Sequence, residues 1–565
     1  MKKFLPIIAI FVLAFTLRVV NIARFPAGFS ADEASQGYTA YSILKTGRDE
    51  WGKFLPLNPR SFGDYKPPLY TYLTIPSIAL FDLNEFAVRL PSAFFGSLAI
   101  VAVFLLTQEL FGMSQISLLA AFFLAICPWH LVFSRAAIEA NLTAFFFPMG
   151  FYFFLKGLKK AKYLPFAALF WGLNLYTYHS ARLFTVLFAF FIIGWSWQKI
   201  RFGDKKVWLA VILTLIFVLP VLLSIFGGGA GKRLGDVSLF NPTDKWQEVK
   251  QRQKESLLIE PLPFLFSNKI TWIAEKFTQN YFSYFSLNFL FTEGSPDNSY
   301  ANLSGRGLLH LWEFPLLLAT IWFFYKHSFF SNKHSFFSNK RKEKRGRLLL
   351  IWLLLAGLPA ALSKESAHAN RAATFLPLWS ILSAYGAYFW WEFLSKRFSV
   401  RLKKIVLLLS LMVLATSLAF FLEEYFSHAP KKLAKGLSYG YRETVDHLNQ
   451  IENNYDKIIM TKRFSEPQVF VAFYKKYDPK QYQLASQDFL RYEKDGLIFL
   501  DQLGVYSLGK YEFRDINWGA DRNLKKTLIV GAPEDFTIEK VSPIKTIYYP
   551  NGKEAFLVIE AENYK

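Results

Sequence analysis

Cysteine, histidine and acidic residues are scarce in this chain of 565 residues. A single cysteine, Cys127, excludes an intramolecular disulfide. The eight histidines show no spacing typical of a metal site, so no metal-ligand motif is assigned. Asp and Glu total 43 against 65 Lys and Arg, which gives a formal net charge of +22.

The basic residues lie in clusters between hydrophobic runs and do not form a continuous stripe. A stripe would indicate a nucleic-acid groove, whereas clusters between apolar runs are typical of the cytoplasmic loops of membrane proteins. We therefore expect a lipid bilayer as partner and no nucleic acid.

Apolar residues dominate what is present: 53% of the chain is hydrophobic and 18% is aromatic, with 61 Phe. A bilayer accommodates this content better than a water-soluble core does. About eleven runs are long enough to be read as transmembrane helices. They lie near residues 4–20, 86–107, 115–133, 141–155, 163–178, 183–197, 207–226, 307–325, 348–362, 374–391 and 403–421.

Alternate connections between these runs are rich in Lys and Arg, which predicts that the N-terminus is inside. An odd number of spans then places the C-terminal part outside. We expect a transmembrane domain over residues 1–425, with a first outer loop over 21–85. Residues 430–565 have short β-type runs and an amphipathic segment, Arg442–Asn453, and predict a small external α/β domain.

Two adjacent carboxylates, Asp32 and Glu33, follow the first hydrophobic run in that outer loop. Ser30 and Glu33 have the spacing of a helix capping box, which offers a purely structural interpretation of Glu33. Asp32 is not needed for such a box. Charged groups this close to a membrane are often functional, so Asp32 is a candidate for chemistry.

Further polar groups occur in the predicted outer loops. Lys66 precedes two prolines that stiffen the backbone and could bind a lipid phosphate or extend to the headgroups. Arg135 and Glu139 have an i, i+4 spacing that predicts one helical face. His179 and Arg371 belong to two other polar clusters, each interpretable as functional or as an interfacial anchor.

Two repetitive segments carry no assigned function. The glycine-rich run at residues 227–233 lacks the spacing of a phosphate-binding loop. The exact tandem heptapeptide at residues 327–340 fits a tolerated duplication in an exposed connection.

Taken together, these motifs resemble the GT-C polytopic glycosyltransferases that use polyprenyl-phosphate sugars. The branch is that of protein O-mannosyltransferases and aminoarabinose transferases, glycosyltransferase family 39. The matching motifs are Asp32-Glu33-Ala34, Lys66-Pro67-Pro68, Ser134-Arg135 with Glu139, and Asn370-Arg371. The family usually has Asp where this chain has Glu139.

The resemblance implies a membrane glycosyltransferase that inverts the anomeric carbon. Asp32 is then the general base, and Lys66, Arg135 and Arg371 bind the donor phosphate. Glu33, Glu139 and His179 bind the acceptor or support the other groups. No cofactor is required, and dependence on a divalent metal stays open.

The sugar, mannose-like or another hexose or pentose, is not specified, and the acceptor is a hydroxyl of a protein, lipid or glycan. Alternatives are a ligase for lipid-linked glycans and a flippase or transporter of lipid-linked sugars. The expected location is a bacterial plasma (inner) membrane, with the site and C-terminal domain extracytoplasmic and a role in building the cell envelope.

Overall fold

A computed structural model gives the fold of the chain. It describes residues 4–226, 238–240, 246–259, 261–296, 303, 305–329, 340–364, 367–464, 466–536 and 541–561. The glycine-rich run at 227–233 and residues 330–339 of the tandem repeat lie outside the described residues.

Residues 4–433 are mainly helical, and each of the predicted hydrophobic runs contains a helix. The first ten helices are α1 (Leu5–Val19), α2 (Ala31–Thr46), α3 (Leu69–Phe81), α4 (Glu85–Phe111), α5 (Ser114–Ile126), α6 (Pro128–Arg135), α7 (Thr143–Gly157), α8 (Leu164–Asn174), α9 (His179–Ser196) and α10 (Lys205–Phe226). The next eight are α11 (Trp246–Lys254), α12 (Leu262–Phe266), α13 (Lys269–Ser283), α14 (Glu313–Phe329), α15 (Lys340–Ala361), α16 (Leu376–Ser395), α17 (Val400–Glu423) and α18 (Ala429–Leu433).

Four described helices are long and apolar enough to cross a membrane, or five if the bent pair α5 and α6 is one span. They include α4, α9, α10 and the segment Val400–Leu433. Several other predicted spans correspond to shorter apolar helices, so the count of about eleven stays a prediction.

The predicted run at 115–133 is interrupted, because α5 and α6 meet at an angle of 56°. Pro128 begins α6, and the residue before it, Cys127, has a non-helical backbone with ψ of 123°. A proline disfavours helical geometry in the preceding residue, which explains the break.

The first predicted outer loop, residues 21–85, is more ordered than the sequence indicated. It contains α2, α3 and a short antiparallel pair of strands, β1 (Arg60–Ser61) and β2 (Asp64–Tyr65). Helix α2 begins at the predicted capping box and ends at Gly47, whose φ of 71° suits a residue without a side chain. We refer to residues 21–85 as the first loop.

The C-terminal part forms a six-stranded mixed sheet in the order β4-β5-β3-β6-β8-β7. Its strands are β3 (Lys457–Met460), β4 (Tyr506–Leu508), β5 (Tyr511–Phe513), β6 (Thr527–Gly531), β7 (Lys545–Tyr548) and β8 (Glu554–Glu560). Strand β3 runs parallel to β5 and β6, and the other pairings are antiparallel. The helices are α19 (Tyr441–Ile451), α20 (Pro467–Tyr474), α21 (Pro479–Phe489), α22 (Arg491–Lys494) and α23 (Trp518–Asp521).

The first loop and the C-terminal domain share one hydrophobic core, in which buried side chains of α2, α3 and α4 pack with those of α19, α20 and the sheet. Phe29 and Phe473 have ring centroids 4.8 Å apart. The Phe29 amide donates to the Leu437 carbonyl at 2.7 Å, and the Tyr38 hydroxyl donates to the Tyr477 carbonyl at 3.0 Å. The C-terminal domain therefore positions the helix that carries Asp32.

Candidate active site

The start of α2 places Asp32 and Glu33. Ser30 caps the helix, since its hydroxyl accepts from the Glu33 amide at 3.2 Å. The Ser30 amide in turn donates to the Glu33 carboxylate at 3.1 Å. The predicted capping box is thus present, and it fixes the direction in which the next residues of α2 project.

Glu33 is almost fully buried against Arg89 of α4. The Arg89 guanidinium donates to both carboxylate oxygens, at 2.8 and 3.0 Å, and to the Ile22, Pro26 and Gly28 carbonyls. The Ala137 amide also donates to Glu33, at 2.9 Å. This network ties together the end of the first span, α4 and the segment after α6.

Asp32 projects instead into a cleft, where its carboxylate lies 2.8 Å from the Lys66 ammonium. Lys66 follows β2, and its amide donates to the Pro59 carbonyl at 2.9 Å. Its ammonium is also 3.8 Å from Asp64. The Lys66 side chain is 8% exposed and that of Asp32 is 21% exposed, so solvent reaches the carboxylate.

The cleft has a volume of about 450 Å³ and is open to solvent. It is lined by Ser30, Asp32, Glu33, Lys66, Ala136, Ala137, Ile138, Glu139, Tyr178, Asn370 and Leu437. It therefore contains residues from the first loop, the segment after α6, the start of α9, the segment before α16 and the start of the C-terminal domain.

Glu139 is the third acidic group of the cleft. The Gln36 side-chain amide donates to its carboxylate at 3.0 Å. Burial, which penalises the charged form, raises the pKa of Glu139, although Lys66 acts in the opposite direction. A carboxyl group with a raised pKa is suited to exchange hydrogen bonds with hydroxyl groups.

Arg135 and Glu139 do not share a helical face, which corrects the expectation from their spacing. Helix α6 ends at Arg135, and Ala136 is extended with ψ of 159°. Glu139 begins a separate 3₁₀ turn, Glu139–Leu142.

The Arg135 guanidinium also differs from its expected placement beside Lys66. It donates to the Leu17 and Val20 carbonyls at 2.7 and 2.8 Å and lies 5.0 Å from the centroid of the Phe426 ring. Those carbonyls belong to the last turn of α1 and to its C-cap residue, where a helix leaves carbonyls without intrahelical partners. Arg135 does not line the cleft.

Of the other expected site residues, Arg371 and His179 lie beside the cleft residues without lining the cleft themselves. Arg371 donates to the Ser363 hydroxyl at 2.8 Å. The His179 Nε2 is 3.3 Å from the Tyr65 carbonyl, directly before Lys66. His179 thus contacts the strand that presents the lysine.

Asn370 is a polar cleft residue to which the sequence assigned no role of its own. It is 4% exposed, and its Oδ1 has no hydrogen-bond partner among the described residues. The sequence drew attention to the Asn370-Arg371 pair but favoured the charged member. The sequence alone does not indicate a functional role for a neutral amide, because that role depends on which groups surround it in the fold.

One group in the described part of the chain has a geometry that could hold a metal ion: Glu423, Glu424 and His428. None of these residues lines the cleft. Glu423 and His428 are 2.9 Å apart, and Glu424 pairs with Lys432 at 2.7 Å.

The sequence profile of the family described as dolichyl-phosphate-mannose-protein mannosyltransferase matches residues 65–223. This match, which begins beside Lys66 and includes Glu139, confirms the resemblance indicated by the motifs. The match covers less than a third of the chain. No curated protein sequence matches it significantly.

The fold is similar to that of solved GT-C enzymes. A crystal structure of ArnT from Cupriavidus metallidurans bound to undecaprenyl phosphate superposes with a TM-score of 0.51 at 11% identity, covering 99% of this chain and 98% of that one. The Archaeoglobus fulgidus oligosaccharyltransferase tethered to an acceptor peptide gives 0.50 at 15% identity, covering 84% of this chain and 63% of that one. At these identities the comparison establishes the fold.

Proposed function

We propose that this glycosyltransferase transfers a sugar from a polyprenyl-monophosphate donor to an acceptor hydroxyl at the extracytoplasmic face of a bacterial inner membrane, with inversion. The acceptor belongs to a protein, lipid or glycan. ArnT, whose fold is similar, binds a lipid phosphate of this chemical class. The charge of the loops supports the orientation.

The proposal rests on one observation: a carboxylate and an ammonium lie side by side in one cleft, at Asp32 and Lys66. The Asp32 carboxylate accepts the proton of the acceptor hydroxyl as that oxygen bonds to the anomeric carbon. The bond from that carbon to the phosphate oxygen breaks, and its electron pair stays on the phosphate. Lys66 stabilises the charge that develops on that oxygen.

The ion pair between Asp32 and Lys66 gives the donor a second effect. A phosphate group competes with Asp32 for the Lys66 ammonium, because charge-assisted hydrogen bonds to phosphate are strong. Donor binding then releases the Asp32 carboxylate to face the acceptor. The base becomes available when the leaving group is in place.

The remaining cleft groups are suited to hydroxyl recognition. Glu139, whose pKa is raised, and Asn370, whose buried Oδ1 lacks a partner among the described residues, can each bond a hydroxyl of the sugar or acceptor. Glu33 and Arg135 are positioning residues, since both bind groups of the fold. His179 supports the strand before Lys66, and Arg371 keeps its expected role near the donor phosphate.

The test is sugar transfer by the full-length protein in proteoliposomes, with a radiolabelled polyprenyl-phosphate sugar and crude membrane acceptors. We expect Asp32→Asn to lower kcat by about 10²–10⁴-fold. Asp64→Asn is the matched control, because Asp64 is close to Lys66 but does not line the cleft. Lys66→Gln should raise the KM for the donor.

Transfer by Asp32→Asn at the wild-type rate would remove the assigned base. Transfer of a whole glycan from a lipid diphosphate would favour the ligase alternative, and movement of the donor across the bilayer without transfer would favour the flippase. A C-terminal tag found in the cytoplasm would contradict the orientation.

A further inference from the structure

A second pocket lies at the other end of α6 from the cleft. It has a volume of about 260 Å³ and is lined by Pro128, Trp129, Val132, Leu303, Arg306, Gly307, Leu308 and Phe421. We call it the α6 pocket. It shares no lining residue with the cleft that holds Asp32. From Trp129 to Ala136 the chain advances by roughly 10 Å at the rise of a helix.

Most of the α6 pocket is apolar. Trp129, Val132 and Phe421 are each at most 5% exposed. Phe421 lies in the last turn of α17, two residues before Glu423, where the apolar helix gives way to charged residues. We expect a pocket beside this end of α17 to lie at the depth where hydrocarbon meets headgroups, and its walls suit an aliphatic chain.

Two side chains that line this pocket carry hydrogen-bond donors for which the described residues offer no acceptor. The Trp129 side chain is 1% exposed, and its indole N–H has no partner among the described residues. The Arg306 guanidinium lies 5.1 Å from the centroid of the Phe421 ring, and no described residue forms a hydrogen bond or ion pair with its side chain. A buried N–H without an acceptor is costly, and the partly buried guanidinium adds positive charge, so the pocket favours an anionic ligand that accepts hydrogen bonds.

The charge of the pocket favours an anion. Its wall includes the first residues of α6, the end of a helix that carries partial positive charge. Burial lowers the pKa of the Arg306 guanidinium. Glu424 is the acid that acts on it, and that carboxylate already pairs with Lys432.

We propose that the α6 pocket binds the phosphate headgroup of an anionic amphiphile, with the Arg306 guanidinium and the Trp129 indole N–H as donors and the apolar wall in contact with its chain. The same chemistry is offered by an anionic phospholipid of the bilayer and by a polyprenyl phosphate. This binding site is separate from the proposed transfer reaction, and neither depends on the other.

The test is native mass spectrometry of the full-length protein released from phosphatidylcholine nanodiscs. Phosphatidylglycerol, undecaprenyl phosphate and inorganic phosphate are added in separate arms. We expect the wild type to retain at least one of the two amphiphiles. We expect Arg306→Gln to weaken this retention about tenfold, and Trp129→Phe to weaken it severalfold.

Two control variants match these changes. Trp379→Phe removes another buried indole N–H that lacks a partner among the described residues, outside the pocket. Arg397→Gln removes another arginine that lies over a ring, that of Phe393 at 4.2 Å. Neither control should alter retention.

The preferred amphiphile identifies the source of the headgroup. Retention of neither amphiphile, equal retention by all variants, or binding of inorganic phosphate alone would overturn the proposal. If Arg306→Gln fails to fold, Trp129→Phe still decides the question, because it removes the indole N–H and keeps an aromatic ring at this position. Sugar transfer measured on the same preparations separates this outcome from that of the proposed function.

Discussion

Replacing Glu33 by Gln should lower the stability of the fold around the first loop, even though the change removes no heavy atom. The Glu33 carboxylate accepts from four N–H groups: two of Arg89, one of Ser30 and one of Ala137. Each carboxylate oxygen accepts two of these bonds. A glutamine has one oxygen and one NH₂ group, so in either orientation two donors face another donor.

The magnitude follows from the burial of the pair. The Arg89 side chain is fully buried and that of Glu33 is 3% exposed, so Glu33→Gln leaves a buried guanidinium without its counter-charge. Breaking a buried pair of this kind costs about 3–5 kcal/mol. We expect the apparent melting temperature to fall by roughly 6 °C or more.

Cys127 provides the assay, because it is the chain's single cysteine and is buried. A thiol-reactive fluorophore reports its exposure as the protein is heated in detergent. Asp32→Asn is the control, since its carboxylate is 21% exposed and its ion pair should contribute at most about 1 kcal/mol. A Glu33→Gln protein with the same melting temperature as the wild type would refute this reasoning.

Three further outcomes are expected. Burial raises the pKa of Glu139 above its ordinary 4.5, so ionising this group is less favourable in the folded than in the unfolded protein. The free energy of unfolding therefore falls as pH rises through and above that value. Glu139→Gln should therefore have a higher melting temperature than the wild type at neutral pH, and this difference should vanish below about pH 4. A difference in melting temperature that stays constant across a pH series would contradict this. Gly28→Ala should impair folding, because Gly28 has φ of +97° and an added Cβ would lie 2.4 Å from the Leu437 carbonyl oxygen. The control is Gly52→Ala, since Gly52 has a similar φ of +84° but open space around it. Equal melting temperatures for the two variants would argue against the clash. Deletion of residues 430–565 should expose the shared core and cause aggregation, which size-exclusion chromatography measures. A monodisperse truncated protein would show that the first loop folds alone.

Much of the fold is predictable from the sequence, because hydrophobic runs report burial directly. Each run contains a helix, and the strands at Lys457–Met460 and Thr527–Gly531 are present. The capping box indicated where α2 begins, but the extent of α2, helix α3 and the β1–β2 pair were not predicted. The residues of α2 are neither clearly apolar nor clearly polar as a group, and its buried face packs against α3, α4 and the distant C-terminal domain. The break at Cys127 depends on one proline inside a run that otherwise fits a single span.

The candidate site was predictable only in part. Local signals identified the Asp32-Glu33 pair and Lys66, and the structure brings Asp32, Lys66 and Glu139 into one cleft. Spacing misled at Arg135, because the end of α6 turns this side chain toward the carbonyls of α1. Charge alone cannot distinguish an arginine that binds a ligand from one that satisfies backbone carbonyls.

The core shared by the first loop and the C-terminal domain also sets the timing of biosynthesis. Asp32 leaves the ribosome early, whereas Phe473, which packs against Phe29, is made some four hundred residues later. At about 5–20 residues per second this interval is on the order of half a minute or longer. Throughout this interval the nascent first loop stays without its packing partner. The cleft is therefore completed only late in translation, and chaperones have that period in which to act.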